Sequence, residues 1–423
     1  MDANRKLKIG LIGLGNIGGN RHIRYLGTMD NVELVGVCDV VKEKADTYAA
    51  EANTTAYYDY NELLDKSGLE AVIIATPHYY HTPLTVEAFN RGLHVLCEKP
   101  LAVHVNDAQK TIDAYEQAKA KKSKSHFRHD VPGTYPSFYK KMKDIISSGE
   151  LGQLTRVTWI NTAWFRSQAY YDSGGWRATW SGEGGGILTN QCPHNLDMYQ
   201  WLFGMPARIS GHAHIGKYHN IEVEDEVTAY FEHDNGMIGH FIVTTAETPG
   251  TNRFEVIGEH GKLVYENEKL VLYKNRMSML KYLQETKEGF GNVETWYTEI
   301  PVNTNVPNGH DVVADKFVKV VLNGGGELIA EGTEGIKGLT IGNGIMLSSF
   351  TKRMVDVPFD ADEYESLLKE LIKKLQICEE NTGTGGNGYR PIFLQSLIQS
   401  FKQAAIIDDN VACWPFADCG VLP

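Results

Sequence analysis

The sequence has neither a surplus of basic residues nor long apolar runs, and each absence argues against a class of protein. The formal charge is −12, from 41 lysines and arginines against 53 aspartates and glutamates, which argues against a surface for nucleic acid or an anionic membrane. No run approaches the roughly 18 apolar residues of a membrane-spanning helix, and no N-terminal stretch has the length of a signal-peptide core. We therefore expect a cytoplasmic protein with no nucleic acid and no membrane among its partners.

Cysteine is also scarce. The six cysteines are scattered, and none of them shows CxxC spacing or clusters with histidine as in a zinc site. Cys38 and Cys97 fall in apolar runs that predict buried strands, where a thiol usually packs as a small hydrophobic side chain. The sequence therefore predicts no structural metal and a reducing compartment.

What the sequence does contain is a glycine motif at the end of an apolar run, in KIGLIGLGNIG. In Gly13-x-Gly15-x-x-Gly18, the first glycine permits a tight turn, the second lets the backbone approach a diphosphate, and the third lets the next helix pack on the strand. The diphosphate would bind the free N–H groups at the start of that helix. We therefore include Asn16 and Ile17 of the same turn in a predicted cofactor site.

A second apolar run ends in Asp39, about where the acid that binds the ribose hydroxyls is expected in a dinucleotide-binding unit. Its carboxylate would repel a 2′-phosphate, so the sequence favours NAD over NADP. A glycine turn with a purely structural role is the alternative. The flanking strand, helix and second strand favour the dinucleotide site.

Up to about residue 127, apolar strands alternate with helices, which is typical of βαβ units in a parallel sheet. The segment Lys122–His126 stands where a sixth strand is expected, but its polar sequence leaves an edge strand or a loop equally open. The other predicted elements are the helices Lys42–Ala52, Asn61–Ser67, Pro83–Arg91 and Asn106–Lys121, and the strands Thr55–Asp59, Ala71–Ala75 and His94–Cys97.

From Leu154 the apolar residues alternate, which is typical of an antiparallel sheet with one covered face. The predicted strands are Thr155–Thr162, Ala207–His214, Glu226–His233, Gly236–Thr245, Arg253–Gly258 and Lys262–Glu266. An amphipathic helix is predicted at Tyr135–Ser148, and the covering helices are predicted at Asn195–Leu202, Asp311–Leu322 and Glu334–Thr351.

A chain of 423 residues is long for one domain and natural for two. We predict an α/β Rossmann domain over residues 1–127 and an α+β domain with an open, mainly antiparallel sheet over 128–357. Residues 358–423 are expected to hold a helix, a glycine-rich linker and a tail of unknown role. These are Asp360–Leu375, Asn381–Gly388 and Tyr389–Pro423, the last with a helix-like segment at Ile392–Ile407.

Ligands of parallel sheets bind beyond the carboxyl ends of the strands, where this chain has Thr76-Pro77 and Glu98-Lys99-Pro100. Oxidation of a secondary alcohol removes the hydroxyl proton as the C–H bond breaks, and an ammonium such as that of Lys99 can stabilise the developing alkoxide. Glu98 could pair with Lys99 or contact the nicotinamide ribose. The alternative is a solvated Glu-Lys pair.

A second candidate segment runs from Gly184 to Asp197 and contains three successive glycines. If a helix spans Asn190–His194, those two side chains face the same way. Histidine titrates close to neutral pH and is a suitable base for the alcohol proton. The alternative is a histidine packed under a helix.

These motifs, in this order, resemble the Gfo/Idh/MocA oxidoreductases, the group of glucose–fructose oxidoreductase and inositol dehydrogenase. The resemblance covers about residues 6–357 and rests on GLIGLGNIG, Ala75-Thr76-Pro77 with His81, HVLCEKPLA and GGG-ILTNQCPH-NLD. It implies a Rossmann domain with an open sheet domain, NAD(P) between them, a carbohydrate or polyol substrate, and a homo-oligomer built through the sheets. It also implies that Lys99 and His194 form the catalytic pair and that His81 lies by the cofactor.

Many family members carry an aspartate where this chain has Asn190. An amide cannot take a proton, so His194 remains the expected base and Asn190 is expected to orient the substrate.

An aromatic stretch precedes the glycines and places ring faces beside hydrogen-bonding groups, as a sugar requires. An aromatic interface or a lid core is the alternative. The predicted substrate contacts are Trp164, Arg166, Tyr171, Trp176 and Arg177.

Two histidine pairs have simpler interpretations. His78 and His81 lack a carboxylate partner for a metal and fit packing or cofactor contact, whereas His212 and His214 share one strand face and fit the surface or an oligomer contact.

Three functions follow from these observations. The first is an NAD-dependent dehydrogenase that oxidises a secondary hydroxyl of a sugar, glycoside or cyclitol. The second is a glycosidase that uses held NAD for transient oxidation, elimination and re-reduction. The third is a sensor or scaffold that binds NAD without turnover. Accumulation of NADH separates the first from the other two.

Overall fold

The computed structural model describes residues 5–121, 127–129, 137–303, 309–326 and 331–382, without the side chains of 128–129 and 376–382. The segment Lys122–His126, residues 383–388 of the predicted linker and the tail Tyr389–Pro423 lie outside this description. Within it, no helix is long and apolar enough to cross a lipid bilayer.

Six of the described strands form a parallel sheet in the order β3-β2-β1-β4-β5-β6. Its central strands are buried because helices cover both faces. The strand order reverses between β1 and β4, which is the switch point where ligands of such sheets bind. The predicted Rossmann-type fold is confirmed. The strands are β1 Leu7–Ile12, β2 Val32–Cys38, β3 Ala56–Tyr57, β4 Ala71–Ile74, β5 His94–Cys97 and β6 Phe127–His129.

Nine further described strands form a second sheet in the order β14-β13-β12-β11-β7-β10-β9-β8-β15. Neighbours are antiparallel except β7 and β10, which pair in parallel. The six strands predicted for this region are present within two residues of their expected ends, and three were not predicted. The strands are β7 Leu154–Asn161, β8 Arg208–Ile215, β9 Glu224–Glu232, β10 Ile238–Thr244, β11 Asn252–Gly258, β12 Gly261–Glu266, β13 Lys269–Asn275, β14 Thr295–Ile300 and β15 Val355–Asp356.

Helices cover both sheets, and several begin at side-chain caps. The carboxylate of Asp59 accepts from the N–H of Asn61 at the start of α3, which satisfies one of the donors that a helix start leaves open. The helices are α1 Ile23–Leu26, α2 Lys42–Glu51, α3 Tyr60–Leu64, α4 His81–Asn90, α5 Val105–Ala120, α6 Ser137–Ser147, α7 Gln168–Asp172, α8 Pro193–Phe203, α9 Met279–Glu285, α10 His310–Asn323, α11 Gly335–Thr351 and α12 Ala361–Thr382. A π-helical turn, Gly18–His22, leads into α1, and 3₁₀ turns at His78–Tyr80 and Gly332–Glu334 precede α4 and α11.

Helix α10 lies far along the chain yet covers the first sheet. Its buried face, which includes Val313 and Phe317, belongs to the same core as Leu7 and Ile9 of β1. A division at residue 127 would separate these partners. The apolar stripe of a helix shows that one face is covered but not which sheet covers it, so this packing was not predictable from the local pattern.

In the second domain, α8 and α11 pack on the antiparallel sheet around fully buried side chains such as Trp159 and Tyr199. The two helices approach closely because α11 carries small residues, and a Cβ on Gly338 would lie 2.9 Å from the backbone N of Asp197. This contact sets the close approach of α8 to α11. Helix α12 continues past the predicted Leu375 and through Thr382.

Candidate active site

The glycine turn after β1 lies directly against the end of β4. Gly13 has φ +92°, and a Cβ there would lie 2.6 Å from the carbonyl oxygen of Ala75. A Cβ on Gly18 would lie 1.9 Å from the carbonyl oxygen of Gly13, whereas a Cβ on Gly15 would meet nothing within 4 Å. Gly13 and Gly18 are therefore needed for the turn itself, and Gly15 leaves open the space in which a diphosphate could approach.

Asp39 joins the end of β2 to this turn. Its carboxylate accepts hydrogen bonds from the backbone N–H of Leu14 and of Val41, both at 2.9 Å. Each carboxylate oxygen has two lone pairs, so both oxygens keep capacity for the ribose hydroxyls. At the same sheet edge the buried hydroxyl of Thr76 has no hydrogen-bond partner. The open Gly15, the oriented Asp39 and this hydroxyl fit a bound dinucleotide.

The carboxylate of Glu98 bonds to two histidines that the sequence did not connect with it. Its Oε1 lies 2.7 Å from Nε2 of His22 and 3.3 Å from Nδ1 of His310. Burial raises the pKa of Glu98, but the hydrogen bonds and charges of the histidines outweigh burial and hold that pKa well below its usual range. This arrangement ties Glu98 to the π-helical turn Gly18–His22 and to α10. Its contact with the nicotinamide ribose stays a prediction.

Lys99 crosses from the first domain to the second. Its Nζ donates to the backbone oxygen of Asn190 at 2.6 Å and to Oδ1 of the same residue at 3.0 Å. Asn190 lies in a tight turn and α8 begins only at Pro193, so the expected helix over Asn190–His194 is not present. His194 is in the first turn of α8 and lines one cavity together with Lys99. The structure thus brings the three residues together by a different local geometry.

A buried carboxylate holds this turn in place. Glu224 is fully buried at the start of β9, where it accepts from the N–H of Gly186 at 2.9 Å and of Leu188 at 3.0 Å. A Cβ on Gly186 would lie 2.1 Å from the backbone oxygen of Glu224, so glycine is required there. Burial raises the pKa of Glu224 to about 7, although the backbone hydrogen bonds oppose it.

Glu224 should make the protein less stable as the pH rises through neutrality. In the folded protein Glu224 keeps its proton up to about pH 7. In the unfolded chain the same carboxyl group loses its proton above its ordinary pKa of 4.5. The stabilisation is therefore fully present below pH 4.5, the ordinary pKa of this carboxyl group, and is lost as the pH rises through about 7. The total loss of unfolding free energy is about 3 kcal/mol at most. In Glu224→Gln we expect the difference in unfolding free energy between pH 5 and pH 8, measured by urea titration, to shrink by about 2 kcal/mol. An unchanged difference would contradict this assignment.

The side chain of Asn190 is held by two groups that the sequence did not single out. Its Nδ2 donates to Oε1 of Glu183 and, at 3.3 Å, to the hydroxyl of Tyr170. Glu183 is buried, and its other oxygen accepts from the N–H of Ala178 at 2.6 Å. Burial raises the pKa of Glu183, although the bond from Ala178 and the charge of Arg177 oppose the increase. The only sequence signal for Glu183 is an acid directly before the glycines.

Tyr170, rather than the predicted Tyr171, faces this polar cluster. Tyr171 is 6% exposed, and its hydroxyl donates to Oγ1 of Thr245 at 2.9 Å within the core. The hydroxyl of Tyr170 receives hydrogen bonds from Arg177 at 3.0 Å and from Gln191 at 3.4 Å as well as from Asn190. The sequence placed two tyrosines side by side, and only the fold of α7 decides which one faces the cluster.

Trp176 of the aromatic stretch packs against the first domain. The ring of Trp176 lies edge-on to His78 at 5.5 Å, and Nδ1 of His78 bonds to the backbone oxygen of Glu183 at 2.9 Å. Burial holds the pKa of His78 well below its usual range, so the neutral ring donates this bond. Trp164 has a buried ring N–H without a hydrogen-bond partner, and the guanidinium of Arg166 lies 5.8 Å from its ring centre. Trp176 therefore lies at the domain junction, whereas Trp164 and Arg166 contact each other within the second domain. Contact of these side chains with a substrate stays a prediction.

Two other histidine predictions can be located. His81 is buried between the ends of β4 and β5, with Nδ1 2.7 Å from the oxygen of Pro100 and Nε2 2.9 Å from that of Thr76. His214 contacts Glu226 on the exposed side of β8 at 3.0 Å. In the described part of the chain, no group of three or more histidine, cysteine, aspartate or glutamate side chains is arranged to hold a metal ion.

The chain has a Rossmann domain with a glycine turn typical of dinucleotide sites, and a lysine–asparagine contact joins it to an open, mainly antiparallel sheet. This is the architecture of a nucleotide-dependent oxidoreductase. The chain belongs to the Gfo/Idh/MocA family. Residues 7–126 match the oxidoreductase family with an NAD-binding Rossmann fold, and residues 139–264 match the GFO/IDH/MocA C-terminal domain. The predicted family, and the NAD-binding character of the first domain, are confirmed.

Several curated relatives are dehydrogenases. Inositol 2-dehydrogenase from Salmonella typhimurium is 38% identical over 151 residues, which span 35% of this chain but only 43% of that enzyme. Glucose-6-phosphate 3-dehydrogenase from Bacillus subtilis is 26% identical over 63% of this chain and 76% of its own length. The solved WlbA dehydrogenase from Bordetella pertussis, in complex with NADH and UDP-GlcNAcA, has a TM-score of 0.68 at 24% identity and covers 84% of this chain and all of its own. That likeness shows the fold.

Proposed function

We propose that the protein is an NAD-dependent dehydrogenase that oxidises a secondary hydroxyl of a sugar, glycoside or cyclitol. One observation carries the proposal. Lys99, at the end of a Rossmann strand, contacts Asn190 of the second domain, and the cavity it lines also contains His194. The proposal agrees with the relatives, which are named for oxidation of inositol and of glucose 6-phosphate.

In this proposal the residues divide the chemistry between two domains. Bound NAD supplies the hydride acceptor. Lys99 donates to the substrate oxygen and stabilises its negative charge as the C–H bond breaks. His194 accepts the hydroxyl proton, so one hydride and one proton leave the alcohol and a carbonyl remains. Asn190 orients the substrate by hydrogen bonds, because its amide cannot take a proton.

The cofactor is proposed to be NAD rather than NADP. The carboxylate of Asp39 is held at the end of β2 by the N–H groups of Leu14 and Val41. A 2′-phosphate in its place would bring two negative groups together, which costs binding free energy. Thr76, Pro77, His81 and Glu98 are proposed to form the nicotinamide side of the same site.

The deciding experiment follows absorbance at 340 nm with NAD and a panel of myo-inositol, glucose 6-phosphate, a nucleotide sugar and simple glycosides, after the purified protein has been assayed for bound nucleotide. NADH that accumulates with one substrate class supports the dehydrogenase. Consumption of a glycoside without NADH, with nucleotide already bound, would instead indicate the closed redox cycle of a glycosidase. Bound nucleotide without any consumption would indicate a binding protein.

Assembly and location are further parts of the proposal. The outer face of β10 carries half-buried Ile238, His240 and Ile242, which is an apolar surface that a second subunit could cover. We therefore propose a cytoplasmic homo-oligomer built through this sheet. Light scattering of the full chain after size exclusion would show a mass above one chain, and a monomer at micromolar concentration would refute the assembly.

Adjacent tyrosines provide a matched pair of variants. In Tyr170→Phe the cluster of Asn190, Arg177 and Gln191 loses its shared hydroxyl, so we expect kcat/KM to fall about tenfold with little change in melting temperature. In Tyr171→Phe only the buried bond to Thr245 is lost, so we expect about 1 kcal/mol less stability and nearly unchanged kcat/KM. Steady-state kinetics and thermal unfolding of both variants measure the two effects. The reverse pattern would restore Tyr171 as the substrate contact.

A further inference from the structure

We propose that Glu183 is a positioning residue for Lys99. Its buried carboxylate orients the amide of Asn190 so that the amide oxygen faces Lys99, and its negative charge favours the ammonium form of that lysine. This inference rests on the proposed function, because it assigns a role to the residues that surround Lys99 in the same site.

The first argument is the direction of the hydrogen bonds. An ionised carboxylate can only accept, and an ammonium can only donate. An amide placed between them must therefore turn its NH₂ to Glu183 and its oxygen to Lys99, and this is the arrangement observed. The chain of contacts from carboxylate through amide to ammonium is polarised in one direction, which strengthens each bond in a buried site.

The second argument is that Glu183 is fixed from both sides. Its Oε2 accepts from the N–H of Ala178 at 2.6 Å, and its backbone oxygen accepts from Nδ1 of His78 at 2.9 Å. The residue is 2% exposed. A buried carboxylate with this many fixed contacts can hold Asn190 in one orientation without a conformational search.

The third argument is electrostatic. The cations near Glu183 are Arg177 and Lys99, while Glu224 is a second buried acid and His78 is neutral. Position 190 holds an amide, where an aspartate would place a carboxylate directly beside Lys99. The carboxylate of Glu183 lies one side chain further from Lys99. An aspartate at position 190 would bring two carboxyl groups into hydrogen-bond contact, and one of them would have to keep a proton.

The test compares Glu183→Gln with the wild-type protein on the substrate found in the NADH assay. A glutamine has one acceptor oxygen for two donors and carries no charge. We expect kcat/KM to fall about ten- to a hundredfold and the alkaline limb of its pH profile to move down by about one pH unit. The dissociation constant for NAD should stay within about twofold.

Glu222→Gln is the matched control. Glu222 is also buried and accepts a backbone N–H from the same segment, that of Trp180 at 3.2 Å, but it is not among the partners of Asn190. The alkaline limb of the pH profile of Glu222→Gln should lie at the same pH as in the wild type. An equal shift in both variants would overturn the proposal.

The double variant Glu183→Gln/Asn190→Asp separates positioning from simple packing. It returns a carboxylate to the neighbourhood of Lys99, with the new glutamine donating to it. The alkaline limb should move back toward the wild-type pH. If the alkaline limb of the double variant stays displaced, Glu183 acts only through packing. The same conclusion follows if Glu183→Gln does not displace the limb at all.

A readout without substrate keeps this inference separate from the proposed activity. Acetylation of Lys99 by trace acetic anhydride, followed by mass spectrometry across pH 7–11, reports the pH at which its amine becomes reactive. That pH should be lower in Glu183→Gln than in the wild type even if no panel substrate yields NADH. An unchanged labelling curve overturns the inference whatever the enzyme does. Should the glutamine variant fail to fold, Glu183→Asp, which keeps the charge, should leave the labelling curve nearly in place while lowering kcat.

Discussion

Replacing Lys99 with alanine is expected to abolish turnover while leaving NAD binding largely intact. The variant removes the ammonium proposed to stabilise the developing alkoxide, and also both contacts to Asn190. A single oxyanion-stabilising donor is worth about 10²–10³ in kcat, and a full charge in a partly buried site is expected to be worth at least about 10³. The measurement is a single-turnover assay at 340 nm with saturating NAD, beside a fluorescence titration with NAD.

Two companion variants identify the cause of that loss. Lys99→Met keeps the apolar stem of the side chain, so a loss equal to that of alanine assigns the effect to the charge and not to packing. Lys99→Arg keeps the charge but not the compact ammonium, and should recover only part of the rate. If the alanine variant turned over at nearly the wild-type rate, the catalytic assignment of Lys99 would be wrong.

The second large effect concerns the glycine turn, where two alanine variants should fail for different reasons. In Gly15→Ala the new methyl meets no protein atom within 4 Å. The proposed diphosphate position lies in that open space, so NAD affinity should fall about 10- to 100-fold with an unchanged melting temperature. In Gly18→Ala the methyl would lie 1.9 Å from the carbonyl oxygen of Gly13, so the turn must move, and both NAD binding and about 3 kcal/mol of stability should be lost.

Calorimetric titration with NAD and thermal unfolding of the apo protein distinguish the two variants. The comparison is informative because both variants add the same methyl group to the same turn. Tight NAD binding by Gly15→Ala would place the diphosphate elsewhere. Lower stability without NAD in that variant would mean that Gly15 is structural.

The sequence predicted those elements of the fold that are determined by local residue patterns. Glycine turns require particular backbone angles, and strands buried on both faces are continuously apolar, so the turn at Gly13 and the first sheet were predictable. Strands β7 to β12 alternate because only one face is covered. Strand β14 is an edge strand and is exposed along nearly its whole length, so it shows no alternation, and β13 beside it has only two buried residues. Strand β15 has only two residues.

The candidate site was predicted less completely, because its contacts join distant segments. Glu98 bonds to His22, which is 76 residues before it, and to His310, which lies far beyond it in the chain. Lys99 and Asn190 are 91 residues apart. Motif and family resemblance located these residues, but neither could give the partner of Glu98, the role of Glu183 as a neighbour of Asn190, or the inward turn of Tyr171.

The position of α10 has a consequence for how the chain matures on the ribosome. The first sheet packs against a helix that begins at His310, whereas its own last strand ends at His129. At roughly 5–20 residues per second, the intervening residues take about 9–36 s to synthesise. During that interval the growing chain exposes the apolar face of β1 that Phe317 later covers, so a chaperone that shields this face should associate with nascent chains that end before α10 and release those that include it.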